Sequence, residues 1–304
     1  MSAKVSVVIP AYNSLNFLPQ ALASVRAQTF KDFDIIIVND GSSDGTEAWL
    51  AQQEDSRLHI IHQPNQGASQ ARNAGIQWSE GEYIALLDAD DLWAPTKLEK
   101  QVACLEAQPE VGLVHTAIRY IDQQGKDLQH GLNVRGEGSI WEEVVLNMPV
   151  RCGSTPLIRR SCFTEVGNFE TSLQFSEEWD MWIRIARRFH FAIINEPLVF
   201  YRQHEHNMTK GYKQIAPNLE KVLGRAFQDV PEGALRIKNE AYSRAYLFAA
   251  WRAYFSGDIP EAASLHRKAF QHYPKLRFAK NSLNLSARLA RANWFGSKQE
   301  RTHL

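Results

Sequence analysis

Short apolar runs alternate with helix-like segments through the first half of this chain of 304 residues. Apolar runs of about four to eight residues are typical of buried strands, and apolar residues three or four apart mark one face of a helix. Strands are predicted at residues 5–9, 33–38, 58–61, 83–87 and 111–116, with helices between most of them. This alternation predicts an α/β fold with a doubly wound, mainly parallel sheet flanked by helices.

Polar segments follow four of these predicted strands. They are the stretch Pro10-Ala11-Tyr12-Asn13, the loop that begins at Asp40, the glycine-containing loop before Arg72, and the run Asp88-Ala89-Asp90-Asp91. In open parallel sheets, ligands bind beyond the carboxyl ends of the strands. The sequence therefore predicts a nucleotide-binding crevice at this edge, although it contains neither a Gly-x-Gly-x-x-Gly motif nor a Walker loop.

The run of three aspartates from Asp88 to Asp91 is costly without a partner, because like charges at this spacing repel and lose solvation. A divalent cation would explain it. Mg²⁺ and Mn²⁺ accept carboxylate oxygens and share their remaining positions with water and substrate phosphates. A solvated surface turn is the alternative interpretation.

The other strand-end residues each have two interpretations. Tyr12 can stack on a base or simply cover the core, and Asp40 can accept the imide proton of a uracil-like base. The residues after Asp40 also suit a helix N-terminus, since Asp44 and Thr46 are good caps. Arg72 can contact a diphosphate as a fork-shaped donor, or it can pair with a nearby acid such as Asp88.

Two further segments carry candidate chemistry. Glu177 and Glu178 lie at the start of a predicted helix. Acidic residues are favourable there through the helix dipole alone, and a carboxylate in that place can also act as a general base. His204 follows a predicted strand at residues 193–201 that Pro197 interrupts, and it can ligate a metal or touch a diphosphate, although a lone histidine is usually structural.

Composition excludes several classes of partner and location. Lys and Arg together number 34 and so do Asp and Glu, which gives no overall field to attract nucleic acid. The three cysteines are dispersed, which predicts a reducing compartment. The first residues do not resemble a signal peptide, and no apolar run approaches the roughly 20 residues of a membrane span. We therefore expect a cytoplasmic protein, at most peripheral to the inner face of the cell membrane.

The last third of the chain is predicted to be wholly helical, with domains at residues 1–212 and 213–304. Small residues and a proline between Gly257 and Pro274 match one tetratricopeptide-like helix pair, and a helical cap is the alternative. Residues 277–301 form a basic amphipathic segment. It can lie on an anionic membrane, or dock with its basic face in solvent. Its apolar residues are Leu283, Leu285, Leu289, Trp294 and Phe295.

Six motifs together resemble family 2 glycosyltransferases with the GT-A fold. In chain order they read VSVVIPAYN, VNDGSSDGT, NQGASQARNAGI, ALLDADDLWAPTKLEKQ, VGNFETSLQFSEEWDMWIRIA and EPLVFYRQHEHN. Six motifs in the family's order are a specific match, and they span residues 5–207. The resemblance does not extend to the helical tail.

The resemblance implies an inverting transferase that moves a sugar from a nucleoside diphosphate, most often UDP, to a hydroxyl acceptor, with Mn²⁺ or Mg²⁺ as cofactor. It implies a catalytic base at Glu178 and metal contacts at Asp90, Asp91 and His204. The implied donor-nucleotide contacts are Pro10, Ala11, Tyr12, Asn13, Asp40, Arg72, Asp88 and Ala89. It also suggests a glycan or lipid-linked acceptor, in surface polysaccharide or glycolipid synthesis.

One position departs from the family pattern. The family usually has Glu-Asp where this chain has Glu177-Glu178, so either glutamate can serve as the base. Two other functions are open: a nucleotidyltransferase that makes sugar nucleotides, and a weakly catalytic binding or scaffold protein. The first ordinarily needs a glycine-rich basic loop after the first strand, and Pro10-Ala11-Tyr12-Asn13 is not such a loop.

Overall fold

The computed structural model describes residues 3–173, 175–204 and 212–301, with the backbone alone for residues 212 and 293–301. The chain forms two compact units. The sheet unit comprises Met1–Ser172 and Glu177–His206, and the helical unit comprises Leu173–Ser176 and Asn207–Leu304. The domain boundary between residues 212 and 213 stays a prediction.

The first part of the sheet unit alternates strands and helices as the sequence predicts. Its elements are β1 (Val5–Ala11), α1 (Leu18–Arg26), β2 (Phe33–Asp40), α2 (Thr46–Leu50), β3 (Leu58–Gln63), α3 (Ala68–Trp78) and β4 (Tyr83–Leu86). The four strands are parallel in the order β3-β2-β1-β4, with Val7 paired to both Ile35 and Ala85. Their carboxyl ends therefore lie along one edge of the sheet.

The second part of the sheet unit is less regular. Its elements are β5 (Leu92–Trp93), α4 (Lys97–Ala107), β6 (Val111–Ile121), β7 (Asp127–Leu132), α5 (Trp141–Asn147), β8 (Leu157–Arg159), α6 (Arg160–Val166), α7 (Glu177–Ala186) and β9 (His190–Arg202). The three-residue strand β8 lies antiparallel between β4 and β6, while β9 lies parallel to β6. The α/β class is confirmed, and beyond β4 the sheet is mixed.

Strand β9 continues through Pro197, which the sequence marked as a break. The pairing register with β6 shifts there, because Thr116 pairs with Ile194 and the next residue, Ala117, pairs with Pro197. Proline has no N–H to donate to the ladder and is tolerated at a bulge. The strand therefore keeps its direction and delivers its last residues to the edge where β4 ends.

The core of the sheet unit lies between the parallel strands and the helices that cover them. Val5, Val7 and Ile9 of β1 are buried in one cluster with Leu18 and Leu22 of α1. Such side chains each contribute about 1.5–3 kcal/mol when fully buried. This packing fixes the positions of the loops that follow the strands.

Helix α3 approaches β1 unusually closely at Gly75. A Cβ atom at this position would lie 2.3 Å from a methyl group of Val8. Any larger residue would push the helix away from the sheet. The close approach sets the depth at which α3 carries Arg72 over the carboxyl edge.

The helical unit confirms the predicted all-helical tail. Its helices are α8 (Tyr212–Ala226), α9 (Lys238–Phe255), α10 (Ile259–His272) and α11 (Lys280–Arg301), with short 3₁₀ segments at Glu232–Ile237 and Pro274–Phe278. Helices α9 and α10 pack against each other as a pair, and the likeness to a tetratricopeptide pair stays a prediction. Gly257, with φ of 83°, turns the chain between them, and Asp258 caps α10 by accepting from the Glu261 N–H.

The leucines of the predicted amphipathic segment lie on both the buried and the exposed side of α11. Leu285 and Leu289 are buried, whereas Leu283 is exposed. The side chains of Trp294 and Phe295 lie outside the described residues. None of the described helices has both the length and the apolar character needed to cross a bilayer.

Candidate active site

The three aspartates after β4 point in three directions. Leu87 still donates to the Val8 carbonyl, and the chain then turns so that the Asp91 N–H donates to the Asp88 carbonyl. Asp88 contacts Arg72, Asp90 contacts His204, and Asp91 faces the interior. We call residues Asp88–Asp91 the aspartate turn.

Asp91 is an internal support for this turn. It is 1% exposed, and its two oxygens accept from the backbone N–H of Arg202 at 3.0 Å and from the Ser154 hydroxyl at 2.6 Å. The same hydroxyl accepts from the Asp88 N–H at 3.0 Å. Burial, then the neighbouring charges of Asp90 and Asp88, raises the pKa of Asp91 well above its usual range. A metal contact by Asp91 stays a prediction, and both of its oxygens already accept hydrogen bonds.

Asp90 and His204 are the residues of the turn region that best suit a divalent cation. Asp90 Oδ2 and His204 Nε2 are 2.9 Å apart, and the Asp90 side chain is 32% exposed. Among the described residues, no group of three or more His, Cys, Asp or Glu side chains gathers as a metal site. Mg²⁺ sites commonly use one or two protein carboxylates, with waters and substrate phosphates as the other ligands. The chemistry of the pair suits such a cation, and metal binding by Asp90 and His204 stays a prediction.

Arg72 gathers carboxylates from distant parts of the chain. Its Nη2 donates to Asp88 at 2.8 Å and to Glu178 at 3.0 Å, and its Nη1 donates to Glu177 at 3.0 Å. The guanidinium is buried, and these four residues are called the arginine cluster below. The alternative interpretation of Arg72, an ion pair with Asp88, is thus what the structure shows, while a diphosphate contact stays a prediction.

One buried cation faces three carboxylates in the arginine cluster. Burial raises the pKa of Glu178 to about 8; Arg72 opposes the rise, and Asp88 and Glu177 add to it. Burial also raises the pKa of Asp88, again against the charge of Arg72. A carboxyl group with a pKa near neutrality can both take and return a proton under working conditions.

The segment around Gly153 and Ser154 joins the two acidic groups, a role that no sequence pattern predicted. A Cβ atom at Gly153 would lie 2.6 Å from Glu178 Oε1, and the Gly153 backbone hydrogen-bonds Glu178. Ser154 holds Asp88 and Asp91, as described above. The only sequence signal is a glycine-serine pair just before an apolar run.

Arg202 is a second residue that sequence reasoning missed, although it lies in a quoted motif two residues before His204. It is buried, and its guanidinium donates to the Asp90 carbonyl at 2.7 Å, to the Gln123 carbonyl and to Gln20 Oε1. A buried arginine at a strand end, surrounded by carbonyl oxygens, fixes the end of β9 to the aspartate turn. Its position two residues before His204 was the available signal.

The predicted nucleotide contacts lie at the ends of β1 and β2. Tyr12 is 52% exposed, and Asn13, with φ of 46°, accepts from the Ser43 N–H at 2.8 Å. Pro10 and Ala11 belong to the end of β1, and Ala89 is buried in the aspartate turn. Their contacts with a nucleotide stay predictions.

Asp40 is buried and holds the loop before α3. Its oxygens accept from Gln63 Nε2 at 2.7 Å, from the Gln66 N–H at 2.9 Å and from the Gly67 N–H at 2.8 Å. Asp44 likewise accepts from the Thr46 N–H, but the N-cap residue of α2 is Gly45, and no side-chain bond caps this helix. The structure thus shows Asp40 orienting the segment that leads to Arg72, and its contact with a base stays a prediction.

The model of the family described as "Glycosyl transferase family 2" matches residues 6–167, more than half of the chain. The chain belongs to this family. The match contains the aspartate turn, Arg72 and Ser154, and it ends before Glu178 and His204.

Relatives of this glycosyltransferase cover different shares of its length. The "uncharacterized glycosyltransferase RT0329" of Rickettsia typhi is 32% identical over 271 residues, which are 82% of this chain and 84% of that protein. An "uncharacterized glycosyltransferase" of Rickettsia bellii is 35% identical over 191 residues. That alignment covers 61% of this chain and 27% of the relative, so the chain spans well under half of some curated relatives.

Solved structures share the fold over nearly the whole chain. Residues 1–349 of Staphylococcus aureus TarS, in complex with UDP-GlcNAc, superpose with a TM-score of 0.72 at 15% identity, covering 96% of this chain and 92% of that one. The mannosyltransferase PcManGT of Pyrobaculum calidifontis, in complex with GDP-Man and Mn²⁺, gives a TM-score of 0.64 at 19% identity. It covers 99% of this chain and 83% of its own. The glycosyltransferase therefore has the expected GT-A fold.

Proposed function

We propose that this family 2 glycosyltransferase is an inverting enzyme that moves a sugar from a nucleoside diphosphate to an acceptor hydroxyl, with Glu178 as the base. The observation that carries the proposal is the arginine cluster. Arg72 brings Glu178 beside Asp88 at the carboxyl edge of the sheet, where burial gives Glu178 a pKa of about 8. A base that faces the donor site is what an inverting transfer needs.

The donor would occupy the carboxyl edge, with its base near Tyr12 and Asp40 and its ribose near Asp88. The folds of TarS and PcManGT, which bind UDP-GlcNAc and GDP-Man, support a nucleotide-sugar donor, and a UDP-sugar is our first choice. Asp90 and His204 would hold Mn²⁺ or Mg²⁺. When bound, such a cation neutralises the charge that develops on a leaving diphosphate.

In the proposed step, the acceptor hydroxyl attacks the anomeric carbon from the face opposite the diphosphate. A new carbon–oxygen bond forms while the bond from the anomeric carbon to the diphosphate oxygen breaks, so the anomeric configuration inverts. Glu178 takes the hydroxyl proton during the attack. Gly153 leaves the space around Glu178 Oε1 that this carboxylate needs, since a side chain there would collide with it.

The acceptor is proposed to be a glycan or a lipid-linked glycan, in surface polysaccharide or glycolipid synthesis at the cytoplasmic side of a membrane. The Glu178 side chain is 26% exposed, which leaves the proposed base within reach of a polar acceptor.

A panel of nucleotide sugars tests the proposal. Thermal unfolding of the full chain is measured with each sugar nucleotide, with and without Mn²⁺. The donor that stabilises the protein most is then used in a transfer assay. We expect stabilisation by one sugar nucleotide and, by NMR of the product, inversion of the anomeric configuration. Product with retained configuration, or turnover of nucleoside triphosphate and sugar phosphate instead, would contradict it.

A further inference from the structure

The overall neutrality of the chain hides a strong charge asymmetry. Over residues 207–304, Lys and Arg outnumber Asp and Glu by 17 to 7, a formal net charge of +10. Over residues 1–206 the same counts are 17 and 27, a net charge of −10. A helical segment with such an excess of positive charge is attracted to anionic surfaces.

Helix α9 presents aromatic side chains on its outer face. Phe248, Trp251, Arg252 and Phe255 are three or four residues apart, which places them along one side of the helix. Phe248 is 50% exposed and Phe255 is 69% exposed. The rings of Trp251 and Phe255 stack with centroids 5.4 Å apart. We call these four residues the aromatic face of α9.

Cations flank this face. The guanidinium carbon of Arg288, from α11, lies 5.6 Å from the Trp251 ring centroid and 5.9 Å from that of Tyr254. Such a contact keeps an arginine beside an aromatic ring. The one acid of α9, Glu240, lies more than two turns before Phe248 and pairs with Arg244. Arg252 and Arg288 therefore place positive charge beside the aromatic rings.

The described part of α11 does not expose the apolar face that the sequence predicts for it. Leu285 and Leu289, which the sequence offered as membrane contacts, are buried in the helical unit. Their burial leaves Leu283 as the exposed leucine of that helix's described side chains. The sequence predicted the membrane-facing residues on α11, whereas the structure exposes aromatic rings on α9.

We infer that the aromatic face of α9 rests on an anionic lipid bilayer. Aromatic rings with flanking arginines suit the headgroup level of a membrane, where the rings enter the interface and the cations meet lipid phosphates. An exposed phenylalanine gains little from contact with a hydrated polyanion such as RNA unless a base stacks on its ring. A bilayer instead offers an apolar environment to the exposed rings of Phe248 and Phe255. Lipid binding involves no transfer chemistry, and it can therefore succeed or fail independently of the proposed function.

Vesicle flotation of the full chain, without donor or metal, tests the inference. Vesicles of phosphatidylcholine with about a third phosphatidylglycerol are compared with pure phosphatidylcholine. The variant is Phe248→Ser with Phe255→Ser. The matched control is Trp78→Ser, because Trp78 is 60% exposed on α3 in the acidic sheet unit. We expect binding to anionic vesicles to fall at least about tenfold in the double variant and to stay unchanged in the control.

Three results would overturn the inference. The first is equal binding to neutral and anionic vesicles. The second is an equal loss of vesicle binding in the Trp78→Ser control. The third is that the native chain does not bind vesicles at all, whether or not it binds single-stranded RNA. Thermal unfolding of each variant checks that it folds. If the double variant is unfolded, the variants Arg252→Glu and Arg288→Glu test the same surface. Both should reduce the salt dependence of vesicle binding.

Discussion

The arginine cluster and the aspartate turn both collect acidic side chains at one edge of the sheet, yet their charges are balanced differently. In the cluster, the buried guanidinium of Arg72 contacts three carboxylates at 3.0 Å or less. In the turn, Asp91 is held by a hydroxyl and a backbone N–H, and Asp90 remains partly exposed beside His204. The difference is what we expect if, as proposed, the cluster supplies a base and the turn supplies only part of a cation site.

The largest expected effect separates the two glutamates of the cluster. Glu178→Gln should lower kcat by at least about 100-fold, the usual contribution of a general base, while donor affinity stays close to native. Glu177→Gln is the matched control and should lose less, because Glu177 is the more buried of the two. Steady-state kinetics with donor binding by calorimetry measure this. Loss in Glu177→Gln with full activity in Glu178→Gln would reassign the base.

Removing the cation of the cluster should cost stability. Arg72→Met leaves three acids without their partner, and breaking a buried ion pair typically costs about 3–5 kcal/mol of unfolding free energy. The deficit should narrow as the pH falls, since the carboxylates then take up protons. Arg26→Met is the control, because its pair with Asp55 is more exposed and such pairs contribute about 0–1 kcal/mol. Similar denaturant midpoints for both variants would show that Arg72 does not balance the cluster.

The raised pKa of Glu178 predicts a pH dependence. The base must be deprotonated, so kcat/KM should rise about tenfold per pH unit below the Glu178 pKa of about 8 and level off above it. Glu177→Gln should retain a rise of this kind. A profile that is flat between pH 6 and pH 8 would mean that Glu178 does not carry the titrating proton.

The smallest effect concerns the link between the two acidic groups. Ser154→Ala removes the donor to Asp91 and the acceptor for the Asp88 N–H, which should lower the unfolding free energy by about 1–3 kcal/mol. Ser161→Ala, an exposed serine on α6, should change it by less than about 0.5 kcal/mol. Chemical denaturation compares them. An unchanged Ser154→Ala protein would show that Asp91 needs no such support.

The parallel half of the sheet could be predicted because each of its strands is marked by a short apolar run in the sequence. The apolar runs that become β1 to β4 end within about two residues of the prediction, and the polar segments follow them as expected. The antiparallel strand β8 has three residues, too few for a periodic pattern, and its place between β4 and β6 depends on pairing with distant strands.

The directions of the aspartates could not be predicted, since neighbouring residues of one type differ only in their tertiary partners. Asp91 is held by Ser154, 63 residues later, and by Arg202, 111 residues later. Arg72 contacts Glu177 and Glu178 across more than 100 residues. The sequence suggested the nearer pair, Arg72 with Asp88, which are only 16 residues apart.

Calorimetric titration of UDP and GDP into the full chain, with and without Mn²⁺, tests the division between the two acidic groups most directly. The account predicts that Mn²⁺ strengthens binding of one nucleotide at least about tenfold, that Asp90→Asn abolishes this gain, and that the exposed Asp32→Asn control retains it. Nucleotide binding that is indifferent to Mn²⁺, or a gain that survives in Asp90→Asn, would contradict it.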